Sequence, residues 1–113
     1  MGQTAATEYV VLLITTEAGE AARLISRVLL EQRLAACVNI IPGINSLFWW
    51  QDKIEAADES LLLVKTKASL VADVVQTVKE IHSSDVPEVI ALPVIDGNRD
   101  YLDWLYRELA GGR

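Results

Sequence analysis

The apolar positions of this chain change period several times, and each change marks an element. Tyr9-Val10-Val11-Leu12-Leu13-Ile14 is an unbroken apolar run inside Glu8–Thr16. Such a run predicts a central strand buried on more than one side. From Glu17 to Leu34 the spacing becomes three and four, with Ala21, Leu24, Ile25, Val28, Leu29 and Gln32 on one face and Arg23, Arg27, Glu31 and Arg33 mostly opposite. This is an amphipathic helix. Glu17 and Glu20 at its start and Arg33 at its end suit the helix dipole, while Gly19 weakens the start.

Leu34–Lys67 reads as one long antiparallel hairpin. Its first arm, Ala36–Trp50, carries Val38, Ile40, Ile41, Ile44, Leu47, Phe48, Trp49 and Trp50, residues that suit a pleated, half-buried surface. Its second arm, Ile54–Lys67, ends in Leu61-Leu62-Leu63-Val64 and Lys65-Thr66-Lys67. Gln51-Asp52-Lys53 is the polar run short enough to turn between them. Pro42 cannot donate to a ladder, so Pro42-Gly43 predicts a bulge or bend. The hairpin is too long for one small domain to cover, and its tip would expose Phe48, Trp49 and Trp50. It predicts an oligomer with the tip packed on a neighbour; the alternative is rings folded back onto the chain's own core.

Beyond the hairpin, Ser69 is the expected cap of a second helix with the stripe Leu70, Val71, Val74, Val75, Val78 and Ile81, ending around His82-Ser83-Ser84. Pro87 biases Val86 to an extended conformation, and Glu88–Ile95 is a fourth strand. Pro93 places that strand at an edge or marks its end. Asp96-Gly97-Asn98 is a turn, with Asn98 capping a third helix, Arg99–Leu109. Tyr101, Leu102, Trp104, Leu105, Tyr106 and Leu109 wrap much of that helix and predict cover on more than one side, across a subunit boundary. Residues 1–7 read as a disordered head and 110–113 as a disordered tail.

The order β-α-β-β-α-β-α begins with the split βαβ, or ferredoxin-like, arrangement. Right-handed crossovers put both main helices on one face of a four-stranded antiparallel sheet. The expectation is one α+β domain over residues 1–113: a ferredoxin-like sandwich with a long hairpin and an extra C-terminal helix.

Charge narrows the partners. A formal net charge of −6, with no cluster of Lys or Arg, argues against nucleic acid and anionic membranes. The apolar run Tyr9–Ile14 is too short for a signal core or a membrane span. Met1-Gly2 lacks the Ser or Thr that myristoylation needs, because position 6 is Ala6. A single cysteine, Cys37, forbids an intrachain disulfide and favours a reducing compartment, hence a cytoplasmic protein.

Nothing in the chain has the form of an enzyme motif: there is no nucleophile elbow, phosphate loop or zinc-spaced Cys/His set. Cys37 and His82 are the soft donors, able to hold copper or another divalent cation. Otherwise Cys37 is a small buried hydrophobe and His82 a partner for a helix C-terminus. Glu59, Lys65 and Glu88 could form an ion-pair cluster or a solvated strand face. Trp50 could line a pocket between subunits or simply pack.

Several segments together resemble the CutA divalent-ion-tolerance family: Leu34–Gly43, Trp50 with Lys53-Ile54-Glu55, Glu59 through Leu63-Val64-Lys65-Thr66, Val86–Val94, and Asp96-Gly97-Asn98 with Tyr101-Leu102-Trp104-Leu105. The likeness runs from Tyr9 to Leu109. It implies a homotrimer, a tolerance or metal-response role without enzymatic activity, and copper binding through His82 and Cys37. It also implies an alternative: a signalling module similar to the PII proteins, holding a small effector between subunits with Trp50, Glu59, Lys65, Glu88 and Tyr101. The chain departs from the family pattern at Ser83-Ser84-Asp85, where His is usually followed by Pro-Tyr-Glu, and at Asp52, where a Gly is usual. Ile14 and Ile81 stand where some members have further Cys and His ligands.

Overall fold

The computed structural model describes residues 8–111. Strand β1 (Tyr9–Glu17) leads to helix α1 (Glu20–Glu31), the hairpin β2 (Cys37–Trp50) and β3 (Lys53–Lys67), helix α2 (Val71–Ile81), strand β4 (Val89–Pro93) and helix α3 (Arg99–Glu108). The sheet order is β2-β3-β1-β4, antiparallel throughout. This is the expected ferredoxin-like α+β arrangement with β1 and β3 central. The expected head, and residues 112–113 of the expected tail, lie outside the described residues. Ala110, at the start of the expected tail, is held in place: its N–H donates to the Arg33 carbonyl oxygen at 2.9 Å.

The alternation of the central strands sorts the two faces of the sheet. Leu12, Ile14, Leu62 and Val64 point to the helices and are fully buried with Ile25 and Leu29 of α1 and Val74 and Val78 of α2. Burying each such side chain contributes about 1.5–3 kcal/mol before the chain's entropy is counted. The opposite face carries matched rungs, Cys37–Lys65–Val11–Leu92 and Asn39–Leu63–Leu13–Ile90. On it Ile90 and Leu92 stay 50% and 46% exposed.

Several expectations are corrected in detail. Glu17 belongs to β1, and α1 starts only at Glu20 because Gly19 breaks the chain at φ +87°. The buried stripe of α1 is Ala22, Ile25, Ser26 and Leu29, whereas Leu24 and Gln32 face water. Small Ala22 and Ser26, the latter bonded back to the Ala22 carbonyl, bring the helix close to the sheet. Ser69 caps nothing: it sits in a 3-10 turn, Ala68–Leu70, and α2 has no side-chain cap. Asn98 does cap α3, accepting from the Asp100 N–H at 3.0 Å. Within one chain α3 is covered on one side only, by Leu105 and Leu109, while Tyr101, Trp104 and Tyr106 remain over a third exposed.

Helix α1 ends in a Schellman motif, with Leu34 N–H on the Leu29 carbonyl and Arg33 N–H on the Leu30 carbonyl. Arg33 takes the left-handed position, φ +60°, that glycine usually fills. Its guanidinium reaches Glu108, at 2.8 Å to Oε1 and 3.2 Å to the carbonyl oxygen, so one residue closes α1 and ties down α3.

The hairpin carries the predicted bulge. Ile41 pairs with Leu61 and Ile44 with Glu59, so β2 holds one extra residue at Pro42-Gly43. Gly43 has φ +75°, and Pro42's missing donor is tolerated because β2 is an edge strand. The turn is a two-residue loop, Gln51 and Asp52, both at positive φ, and Lys53 already pairs with Trp50. Beyond the Glu17–Glu59 pair the hairpin leaves β1 and continues as a two-stranded ribbon. Counted from Ile44–Glu59 to Trp50–Lys53, seven residue pairs at strand spacing make it about 20 Å long. Leu47, Trp49 and Ile54 on one face are 73%, 72% and 63% exposed. The rings do not fold back onto the chain's own core.

Candidate functional site

The residues singled out from the sequence, Cys37 apart, fall into two clefts at opposite ends of the sheet's open face. The larger, about 940 Å³, lies between the hairpin ribbon and the Ser84–Glu88 segment. Trp50, Glu55, Glu59, His82 and Glu88 line it, with Thr15 at its floor. The second, about 380 Å³, lies where α3 begins against β1. Its walls are mostly apolar, including Val11, Val94 and Leu102, and Lys65, Asp96, Asn98 and Tyr101 supply polar groups.

Strand alternation explains the division. Glu59 and Lys65 point to the same face of β3 but stand six residues apart, roughly 20 Å at strand spacing. In one chain they do not meet. Among the described residues the ion pairs are Arg27–Glu31 and Arg33–Glu108, so Glu59, Lys65 and Glu88 have none. Their expected cluster is absent within the chain because a strand cannot bend its own two ends together.

Cys37 is the register partner of Lys65, which lines the second cleft, and it lies near enough to Tyr101 to act on its hydroxyl. The Lys65 Nζ lies 6.0 Å from the centre of the Tyr101 ring. Burial, and secondarily Cys37, push the Tyr101 hydroxyl above its ordinary value of 10.0.

His82 belongs to the larger cleft. Its Nε2 lies 2.8 Å from the Thr15 carbonyl oxygen, and its Nδ1 accepts from the Ser84 N–H at 2.9 Å. The Ser84 Oγ accepts from Val86 N–H at 3.1 Å, and Thr15 Oγ1 lies 3.5 Å from Glu88 Oε1. Thr15 and Ser84 were missed in the sequence. Only the two-residue offset of Ser84 from His82 hinted at a local bond; nothing local pointed to Thr15, which is 67 positions away from the ring it holds.

A tolerance or metal role raises the question of a cation site. Among the described residues no three His, Cys, Asp or Glu side chains converge to hold a metal ion. His82 lines the larger cleft whereas Cys37 pairs with Lys65 of the other, and both imidazole nitrogens already have protein partners. The described residues of one chain therefore do not fit a metal centre.

A split βαβ sandwich with an overlong hairpin and paired clefts on its open face defines a class of small ferredoxin-like proteins. The profile of the CutA1 divalent ion tolerance protein family matches residues 10–108, and the chain belongs to that family. It is 50% identical over 101 residues to the divalent-cation tolerance protein CutA of Thermus thermophilus, covering 89% of this chain and 97% of that protein. It is 45% identical over 96 residues to the rice protein named "Protein CutA 1, chloroplastic", covering 85% of this chain and 54% of the longer rice protein. The crystal structure of CutA1 from Oryza sativa superposes with a TM-score of 0.90 at 40% identity, covering 94% of this chain and 97% of that one. The chain thus spans nearly all of the bacterial relative and about half of the plant one. No described helix is long and apolar enough to cross a membrane.

Proposed function

We propose that this chain acts in divalent-cation tolerance as a non-enzymatic cytoplasmic homotrimer, reading a small effector in the clefts between its copies in the manner of PII-like signalling modules. The observation that carries this reading is the uncovered apolar surface: half-exposed rungs on the open sheet face, and a ribbon with three large side chains over 60% exposed. A two-stranded ribbon is marginal in water by itself and gains stability against another sheet. The divided site supports the same assembly. One cleft carries Trp50, Glu55, Glu59 and Glu88 with no Lys or Arg in its lining, and the other carries Lys65 and Tyr101 together with Asp96. A closed head-to-tail ring brings unlike ends together and sets the carboxylates of the larger cleft against the Lys65 end of the next copy. Support for a non-enzymatic role is chemical: Cys37, the only thiol, lies beside Tyr101, and the only histidine stands at the far cleft. The single thiol supports a cytoplasmic setting.

The second reading is direct binding of copper or another divalent cation by His82 and Cys37. It is supported by donor chemistry, since thiolate suits Cu(I) and imidazole suits copper or zinc. It requires donors from two copies. One experiment separates the readings. The reduced protein is sized in solution, then titrated with Cu(I) and Cu(II) against competing chelators and screened thermally against metabolites. The effector reading expects three 12.4 kDa chains per particle, weak non-stoichiometric metal binding, and stabilisation by a metabolite that disappears in Lys65→Ala. Tight binding at a whole number of ions per trimer, lost in Cys37→Ser or His82→Gln, would replace it with the metal reading. A monomer would refute both.

A further inference from the structure

His82 is the only histidine in the chain, and a cation-tolerance protein makes it the first suspect as a ligand. Its surroundings give it another task. The Thr15 carbonyl can only accept, so Nε2 carries the ring proton and donates across 2.8 Å. Nδ1 then carries the ring's one free lone pair, and the Ser84 N–H occupies it at 2.9 Å. A metal ion needs that lone pair. Giving it up would strand the Ser84 donor in a part-buried place, where an unmade hydrogen bond costs more than a made one returns. The bonds continue from Ser84 Oγ to Val86 N–H, and Glu88 returns toward Thr15. A ring of contacts therefore runs from β1 through the imidazole along the Ser83–Glu88 segment and back to β1.

We propose that His82 is a positioning residue, not a metal ligand: it fastens the Ser83–Pro87 segment to β1 and so sets Glu88 at the rim of the larger cleft. The bond from Ser84 N–H to Nδ1 spans two residues, the same span an Asn or Asp side chain bridges in an Asx turn. His82 does this and also reaches Thr15 on a different element, which a shorter side chain cannot do.

A single histidine makes the test direct, because only one imidazole contributes to a long-range proton–nitrogen spectrum of the labelled full chain. The expected result at neutral pH is the neutral tautomer protonated at Nε2, with neither nitrogen shifting on addition of one equivalent of Zn(II) or Cu(I). In His82→Ala the Ser84 amide exchanges about tenfold faster while the β1–β3 ladder is unchanged, the scale expected for one lost hydrogen bond. His82→Asn restores slow exchange at Ser84 through an Asx turn, which a role in packing alone would not do. The opposite tautomer, a metal-dependent shift at Nδ1, unchanged exchange in His82→Ala, or failure of Asn to rescue would each overturn the proposal. These readouts are the same for a monomer and a trimer, so they stand or fall apart from the assembly.

Discussion

Removing the Trp49 ring tests the assembly most sharply. In the single chain Trp49 is 72% exposed, beside Leu47 at 73% and opposite Ile54 at 63%. An aromatic of this size carries about 150–250 Å² of surface, so roughly 150 Å² of Trp49 is in water. Covering that area stabilises by about 3–4 kcal/mol at the usual coefficient, an upper figure. Three such rings in the proposed trimer amount to about 10 kcal/mol, or roughly seven powers of ten in the equilibrium between one trimer and three monomers. The midpoint concentration follows the square root of that constant, so Trp49→Ala raises it by about a thousandfold. Sedimentation over a dilution series reads this, with circular dichroism confirming that the monomer stays folded, because Trp49 adds nothing to the chain's own core. A midpoint moved less than about fivefold would refute the packing of the tip on a neighbour.

Three further outcomes follow from the chain's own contacts. Arg33→Ala removes a half-exposed ion pair and keeps a left-handed Cβ, whereas Arg33→Gly removes the same pair but relieves the backbone; denaturant unfolding should find the Gly variant more stable than the Ala variant by about 1 kcal/mol. Asp52→Gly, at φ +65° in the hairpin turn, should stabilise by about 0.5–1 kcal/mol in thermal melts. Burial raises both Tyr9 and Tyr101, so the folded chain holds protons that the unfolded chain has released above pH 10.0; stability is full below that value and falls as pH rises through the folded values. Tyr101→Phe should flatten that alkaline loss, and Cys37→Ala should bring the Tyr101 absorbance midpoint down while leaving it above the ordinary value, since burial is the larger cause.

Local patterns decided the elements. The unbroken run Tyr9–Ile14 made a central strand, the alternation of β2 and β3 a hairpin, and Pro42-Gly43 its bulge, because each is a matter of backbone sterics and near neighbours. The order of those elements, under right-handed crossovers, was enough for the sheet order and for both helices sharing a face. The overhanging aromatic tip was also legible, since fifteen residues of β3 cannot be matched by nine of β1.

Tertiary structure alone decided which side chains meet. Leu24 fits the helical period as well as Ile25 does, yet only the tilt of α1 on the sheet chose Ile25 for the core. Arg33 looks like an end-of-helix charge, and its hold on Glu108 depends on where α3 returns. Cys37 and His82 are equally soft donors on paper. The fold sends one to Tyr101 and the other to Thr15, because opposite ends of one rigid sheet cannot approach each other.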